Sequence, residues 1–115
     1  MLREHIELRH AWFLERHQLR VVGNGLGDRI LTALFNAEVL TLAAADLELR
    51  LVSHPRSFGI QCRVPLAAKW RPISSLLPRP EEDELRGAKW QVVLEYVDRN
   101  WWRLVEAASR QSLGR

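Results

Sequence analysis

Apolar and polar positions alternate with a period of two along two neighbouring stretches in the middle of the chain. In residues 47–52 every second position is leucine, and in residues 58–64 every second position is apolar. A polar loop that contains a proline, 54–57, separates the two stretches. This pattern predicts an antiparallel β-hairpin, because alternation sends the apolar side chains to one face. The predicted inward face consists of Leu47, Leu49, Leu51, Phe58, Ile60, Cys62 and Val64.

Before the hairpin, the residue pattern favours helices. Residues 3–20 are rich in helix formers and contain no glycine or proline. This predicts a first helix ending near Arg20, although positions 6–14 also alternate as a strand would. A glycine-rich turn from Gly23 to Gly27 then breaks the chain, and Asp28 is placed to cap a second helix. The alanine-rich continuation predicts helix through Ala45.

After the hairpin, the sequence predicts an irregular connection followed by one helix. Residues 65–80 contain four prolines. From Glu82 or Ala88 to Ser109 the apolar residues recur with helical spacing, which predicts an amphipathic helix. We therefore expect an α+β fold in a single domain, 1–115. It consists of two N-terminal helices, a central antiparallel β-hairpin, an irregular proline-rich connection and a long C-terminal amphipathic helix.

Composition indicates an ordinary globular protein. The content of 47% apolar and 27% charged residues argues against a disordered chain. The longest nearly apolar stretch, 30–45, is too short to span a bilayer and contains Asn36 and Glu38. The first residues lack the apolar run of a signal peptide, and a single cysteine, Cys62, excludes an internal disulfide framework. These features predict a cytoplasmic protein that does not associate with membranes.

Positive charge is concentrated in the middle of the sequence. Between Leu49 and Pro80 there is no acidic residue, and the basic residues give this block a charge of +6. The whole chain carries +3, so the two flanking arms are slightly acidic. A concentrated positive field attracts polyanions, such as nucleic acid, an acidic protein surface or anionic lipid.

This basic block contains most of the candidate binding residues. Arginine donates two parallel hydrogen bonds to a phosphate or a carboxylate, and an aromatic ring between basic residues stacks on nucleic-acid bases. The alternative is a solvated hairpin face whose charges pair with Glu48 and with the acidic run at 81–84. The candidates lie on the outward face of the hairpin, at its loop and just after it: Arg50, Arg56, Arg63, Lys69, Trp70 and Arg71.

Trp102 is a further candidate for binding. Trp101 lies at the centre of the apolar stripe of the C-terminal helix, and helical geometry directs Trp102 about 100° away from it. An aromatic residue outside the stripe is either covered by another part of the same chain or contacts a partner. A homodimer through the C-terminal helix is the simplest form of the second alternative.

Signals for catalysis or for a bound cofactor are weak. The turn from Gly23 to Gly27 has only a G-x-G-x-G pattern, and a flexible turn is the plainer interpretation. The histidines lack the spacing of metal ligands, so we expect them at the surface. Cys62 belongs to the inward face of the hairpin, where it is expected to act as a small hydrophobic residue. The sequence thus predicts no catalytic residue, no cofactor and no metal.

Together these patterns predict a small non-enzymatic interaction or regulatory protein, for example an inhibitor or adaptor. It would dock through the basic hairpin face onto an acidic protein surface or a nucleoprotein. Direct nucleic-acid binding by the same face is the second hypothesis, although no named nucleic-acid-binding motif is present. A small ligand-binding domain or enzyme built on the glycine turn is the third.

Overall fold

The computed structural model describes residues 2–22, 38–53, 58–67, 69–76 and 89–113, and these form an α+β fold, as predicted. In chain order the elements are α1 (Leu2–Arg9), α2 (Ala11–Arg16), β1 (Arg20–Val22), β2 (Glu38–Ala43), β3 (Glu48–Ser53), β4 (Phe58–Arg63), β5 (Arg71–Pro72), a short 3-10 helix (Ile73–Ser75), α3 (Trp90–Arg99) and α4 (Trp101–Leu113).

The strands form a five-stranded antiparallel sheet in which each strand pairs with the next one along the chain. The predicted hairpin is confirmed as β3 and β4, with Leu49 opposite Cys62 and Leu51 opposite Ile60. Residues directly opposite each other share a face of the sheet, so these four side chains form one apolar surface. The hairpin loop, 54–57, lies outside the described residues.

The helices cover that apolar surface. Their buried side chains form one core with the inward residues of β2, β3 and β4, and Leu94 and Leu104 are fully buried there. At the N-terminus, the backbone N–H of Leu2 donates to Glu38 Oε2 at 2.8 Å, which fixes α1 to the first residue of β2. The protein therefore has a helical layer on one face of the sheet, while the other face carries the outward residues of the hairpin.

The predicted first helix is shorter than expected. The helical backbone is interrupted at His10 and ends at Arg16, and Arg20 begins β1 instead of ending a helix. Gln18 adopts a left-handed conformation, with φ of 52°. The N–H of Leu19 then bonds the carbonyl of Leu14 at 2.9 Å, and the N–H of Gln18 bonds Glu15 at 3.3 Å. This pair of bonds is the Schellman motif, which satisfies the last carbonyls of a helix.

The prediction that the second helix continues through Ala45 is wrong, because residues 38–43 form β2. This strand lies between β1 and β3, and its last four residues, Leu40–Ala43, are all buried. A strand buried on both faces does not alternate between apolar and polar residues, and periodicity alone does not distinguish it from a buried helix. The two N-terminal helices of the structure both lie within the predicted first helix, and the start of the predicted second one lies outside the described residues.

Two further elements differ from the prediction. The connection expected to be irregular contains β5 and the 3-10 helix. The C-terminal helix is interrupted at Asn100, whose side-chain amide donates to the carbonyl of Tyr96 at 2.9 Å. Asparagine side chains compete in this way for helical backbone groups and so break regular helices. Within the described residues no helix is both long enough and apolar enough to cross a membrane.

Candidate functional site

The register of the hairpin places Arg50 and Arg63 on the face opposite the helices, as the alternation predicts. Arg50 lies opposite Gln61, and Arg63 lies opposite Glu48, whereas the neighbouring Leu49 faces the core. Both arginines are half-buried rather than fully exposed. The same face continues onto β2, where Thr41 lies opposite Arg50 and is buried. The outward face of the sheet is therefore partly covered.

Trp70, just before β5, lies against both arginines. The Cζ atom of Arg50 is 4.2 Å from the centre of the Trp70 ring, and that of Arg63 is 4.4 Å away. Such cation–π contacts each contribute about 0.5–1 kcal/mol when exposed and about 2 kcal/mol when desolvated. We call the three residues the arginine–tryptophan cluster. The cluster forms because β5 pairs with β4, and this pairing brings the chain back to the hairpin.

Arg63 is also paired with an acidic residue. Its Nε atom donates to Glu48 Oε1 at 2.7 Å across the two strands, with 30% of the Arg63 side chain and 22% of the Glu48 side chain exposed. Partial burial makes this charge-assisted bond stronger than a typical surface ion pair. The expectation that Glu48 pairs with the hairpin charges is thus correct for Arg63. The ion pair fixes the guanidinium against Trp70.

The remaining candidates of the basic block do not all share this face. Lys69 is exposed beside Trp70. Arg71 lies opposite Cys62 in the register, so its side chain leaves β5 on the core side of the sheet, where it is half-buried. Arg56 lies outside the described residues. Of the basic residues predicted from the sequence, the structure therefore assembles Arg50 and Arg63 with Trp70, and the exposed Lys69 is the residue before Trp70 in the chain.

Trp102 lies at a second location, on the helical side of the molecule. It is 72% exposed, while the adjacent Trp101 is only 4% exposed. Trp102 lines an open cleft of about 590 Å³. The cleft lies between the end of α2, the β2–β3 turn and the junction of α3 with α4. The lining residues are Arg16, His17, Gln18, Ala45, Asp46, Asp98, Trp101 and Trp102.

His17 and Asp98 organise this cleft, and no pattern in the sequence indicates their contact. His17 Nε2 lies 2.8 Å from Asp98 Oδ1, and Arg16 Nη1 donates to Asp98 Oδ2 at 2.8 Å. The His17 ring is stacked on Trp101 at 3.9 Å, and Trp101 Nε1 donates to Asp46 Oδ2 at 3.1 Å. Among the described residues that line the cleft, none has a hydroxyl or a thiol.

The expectation that the histidines lie at the surface is wrong for His10. It is 5% exposed, and its buried Nδ1 atom has no hydrogen-bond partner among the described residues. Burial lowers the pKa of His10, as do the nearby charges of His5 and Arg9, while a hydrogen bond with Gln91 opposes these effects. Its ring meets that of His5 edge-on, with 5.1 Å between ring centres. His10 thus belongs to the packing of α1 against α3.

The other sequence signals for chemistry give no site among the described residues. Cys62 is fully buried, and burial raises the pKa of its thiol to about 12, so it is a protonated core residue at neutral pH. The described ranges contain no group of three or more His, Cys, Asp or Glu residues that could hold a metal ion. The turn from Gly23 to Gly27 lies outside the described residues.

Neither the protein-family models, nor the curated proteins, nor the solved structures contain a match to this chain. Any functional conclusion therefore depends on the geometry of the chain itself.

Proposed function

We propose that this chain is a small non-enzymatic interaction protein that docks onto an acidic protein surface through the arginine–tryptophan cluster. The observation that carries the proposal is the contact of two guanidinium groups with one indole ring on the face opposite the helices. Tryptophan and arginine are the residues most often found at the energetic centre of protein interfaces. Here they are already held in place, so ordering them on binding costs little entropy.

A carboxylate-bearing partner fits the cluster because guanidinium donors lie in the plane of the group. Contact with an aromatic face leaves those in-plane donors directed sideways, where they can bond a carboxylate. The exposed Lys69 extends the positive field at the edge of the cluster. Complementary charges of this kind raise the rate of encounter and set the orientation of docking.

A protein partner is favoured over nucleic acid for two reasons. Both arginines are half-buried, and Nε of Arg63 is already bonded to Glu48. A nucleic-acid-binding face typically makes about 6–10 phosphate contacts with exposed basic side chains. Among the described residues, the cluster with Lys69 offers fewer basic groups than this, so direct nucleic-acid binding is the second hypothesis.

A second copy of the chain is the partner that we propose for Trp102. An indole that is 72% exposed beside Asp46 and Asp98 presents both apolar area and polar groups, as interface aromatics do. The two-fold symmetric pairing of one face with itself requires only this one surface. This contact is separate from the cluster, since the two lie on opposite layers of the fold.

The docking proposal is tested with a charge-neutralised variant, R50Q together with R63Q and K69Q. Glutamine at position 63 still donates to Glu48, whereas glutamate there would place like charges on opposite strands and destabilise the hairpin. Fluorescence anisotropy would measure binding to an acidic peptide and to a single-stranded oligonucleotide of equal charge. We expect the wild type to bind the peptide and the variant to bind it at least about tenfold more weakly.

The matched control removes the same charge from the helical layer, through R3Q, R99Q and R110Q. This variant should bind the peptide as the wild type does. Equal losses in both variants would show that only net charge matters, and would contradict the proposal. Tighter binding of the oligonucleotide, with a steep loss of affinity as salt increases, would support the second hypothesis. Affinity purification from the native host, with and without nuclease, would then identify the partner.

A further inference from the structure

In a turn near the cluster in sequence, Leu66 has an unfavourable backbone conformation. The N–H of Ala67 bonds the carbonyl of Val64 at 3.1 Å, which closes a β-turn with Pro65 and Leu66 at its centre. Leu66 has a φ of 72°, the value that a type II turn requires at its second central position. Glycine is normally found there, because a side chain with a β-carbon is strained at positive φ.

The same leucine is completely exposed, at 102% relative to an extended reference. Exposed leucines are common, and Leu8 on α1 is another at 82%. Leu66 differs from Leu8, because its backbone is strained and its side chain is also fully exposed. Strained residues persist where a function needs their geometry, and they cluster in binding sites.

Its position connects the leucine to the basic face. Leu66 is three residues after Arg63 and four before Trp70, and a chain spans at most about 3.6 Å per residue. Its Cα atom therefore lies within about 11 Å of that of Arg63. Lys69 is exposed in the same connection. A partner surface of ordinary size is wide enough to span this distance.

We propose that Leu66 is the apolar anchor of the docking surface, and that the acidic partner presents an apolar residue or pocket next to its carboxylates. This inference rests on the proposed function and makes it more specific. The charges orient the partner, and burial of Leu66 slows its release. A membrane is a poorer fit, because one leucine and a few partly covered charges provide little of the apolar area that lipid anchoring requires.

Two acidic peptides of equal length and charge test the inference. One contains leucines among its glutamates, and in the other serines replace those leucines. We expect wild-type protein to bind the leucine peptide about tenfold more tightly than the serine peptide. In L66A this difference should disappear, while L66M, which keeps an apolar side chain, should retain it. The control L8A removes a leucine that is exposed elsewhere, and it should behave as the wild type does.

A stability measurement separates anchoring from a structural role. L66G removes the strain as well as the side chain, so its Tm should rise by a few degrees while it loses the preference for the leucine peptide. Equal binding of both peptides by the wild type, or an unchanged preference in L66A, would overturn the anchor and leave the docking proposal intact. If the wild type bound neither peptide, both the anchor and the docking proposal would be overturned. Binding to vesicles containing phosphatidylserine, with no peptide binding, would assign the surface to lipid instead.

Discussion

Adjacent tryptophans in this protein have opposite surroundings. The Trp101 ring is stacked on His17, and its indole N–H donates to Asp46, so it joins the end of α2 to the β2–β3 turn. Trp102 lies about 100° around the helix, and there it is largely exposed. These neighbours therefore differ in role, because Trp101 holds three elements together whereas Trp102 is available to a partner.

His10 gives the protein a sensitivity to acid that can be measured. Burial is the main reason that its pKa in the folded state lies below the ordinary value of 6.5, and His5 and Arg9 add to the effect. His10 lines a cleft at the start of α3, and Lys89, which precedes α3, lines this cleft as well and brings a further positive charge to it. The unfolded chain therefore binds a proton more readily than the folded one does, and protonation favours unfolding.

The expected consequence is a loss of stability in acid. The contribution of neutral His10 is fully present above pH 6.5 and decreases as the pH falls toward the lower pKa of the folded state. In H10Q this dependence should be weaker, whatever the change in overall stability. Urea unfolding of both proteins at several pH values between neutral and mildly acidic would measure the two slopes. Parallel slopes would show that His10 does not titrate differently on unfolding.

At the scale of elements, the end of α2 shows how a backbone motif escapes detection in the sequence. Glycine usually occupies the left-handed position of a Schellman motif, and its absence before residue 20 predicted a longer helix. Here Gln18 takes that position, at φ of 52°. The strain of a non-glycine residue at positive φ is stored in a motif that ties α2 to β1.

Replacing this residue should therefore stabilise the protein. We expect Q18G to increase the free energy of unfolding by up to about 1 kcal/mol, because glycine adopts this conformation without strain. Q18A keeps the β-carbon, and so it should remain within about 0.5 kcal/mol of the wild type. Urea denaturation of the three proteins is the measurement. A loss of stability in Q18G would indicate that contacts of the glutamine side chain outweigh its backbone strain.

Some of these elements can be predicted from the sequence, and others cannot. The β3–β4 hairpin and the common face of Arg50 and Arg63 follow from alternation alone, because one face had to be buried. The sequence wrongly predicts helix over β2, because the buried residues of this strand, 40–43, lie on both faces of the sheet and so show no alternation. The contact of Trp70 with the arginines depends on β5, a strand of two residues, which is too short to produce a pattern.

Contacts between distant positions were the least predictable. His17 and Asp98 are separated by 81 positions, and each looks like an ordinary surface residue of its own helix. Only packing of α2 against α3 and α4 brings them together. Leu66 is not predictable for a different reason. It lies in a proline-containing loop, where no regular spacing of apolar residues shows whether a leucine is buried or exposed.

For the whole molecule, the two proposed contacts lie on different layers. The arginine–tryptophan cluster is on the outward face of the sheet, and the cleft beside Trp102 is formed by the helical layer and a turn. The proposed acidic partner and the proposed second copy would therefore not compete for one surface. Substitutions in one surface should leave the other unaffected, since residues that share no partners usually act independently.

The two tryptophans test this arrangement directly. W101A removes a buried ring and should reduce the free energy of unfolding by about 3–5 kcal/mol. This is close to unfolding a domain whose total stability is about 5–15 kcal/mol. W102A should change stability by no more than about 0.5 kcal/mol, as exposed substitutions usually do. It should nevertheless shift the protein toward monomer in sedimentation equilibrium, because it removes the proposed contact of the second copy. If W102A instead unfolded as readily as W101A, with its association unchanged, both rings would be structural and the self-association surface would have to lie elsewhere.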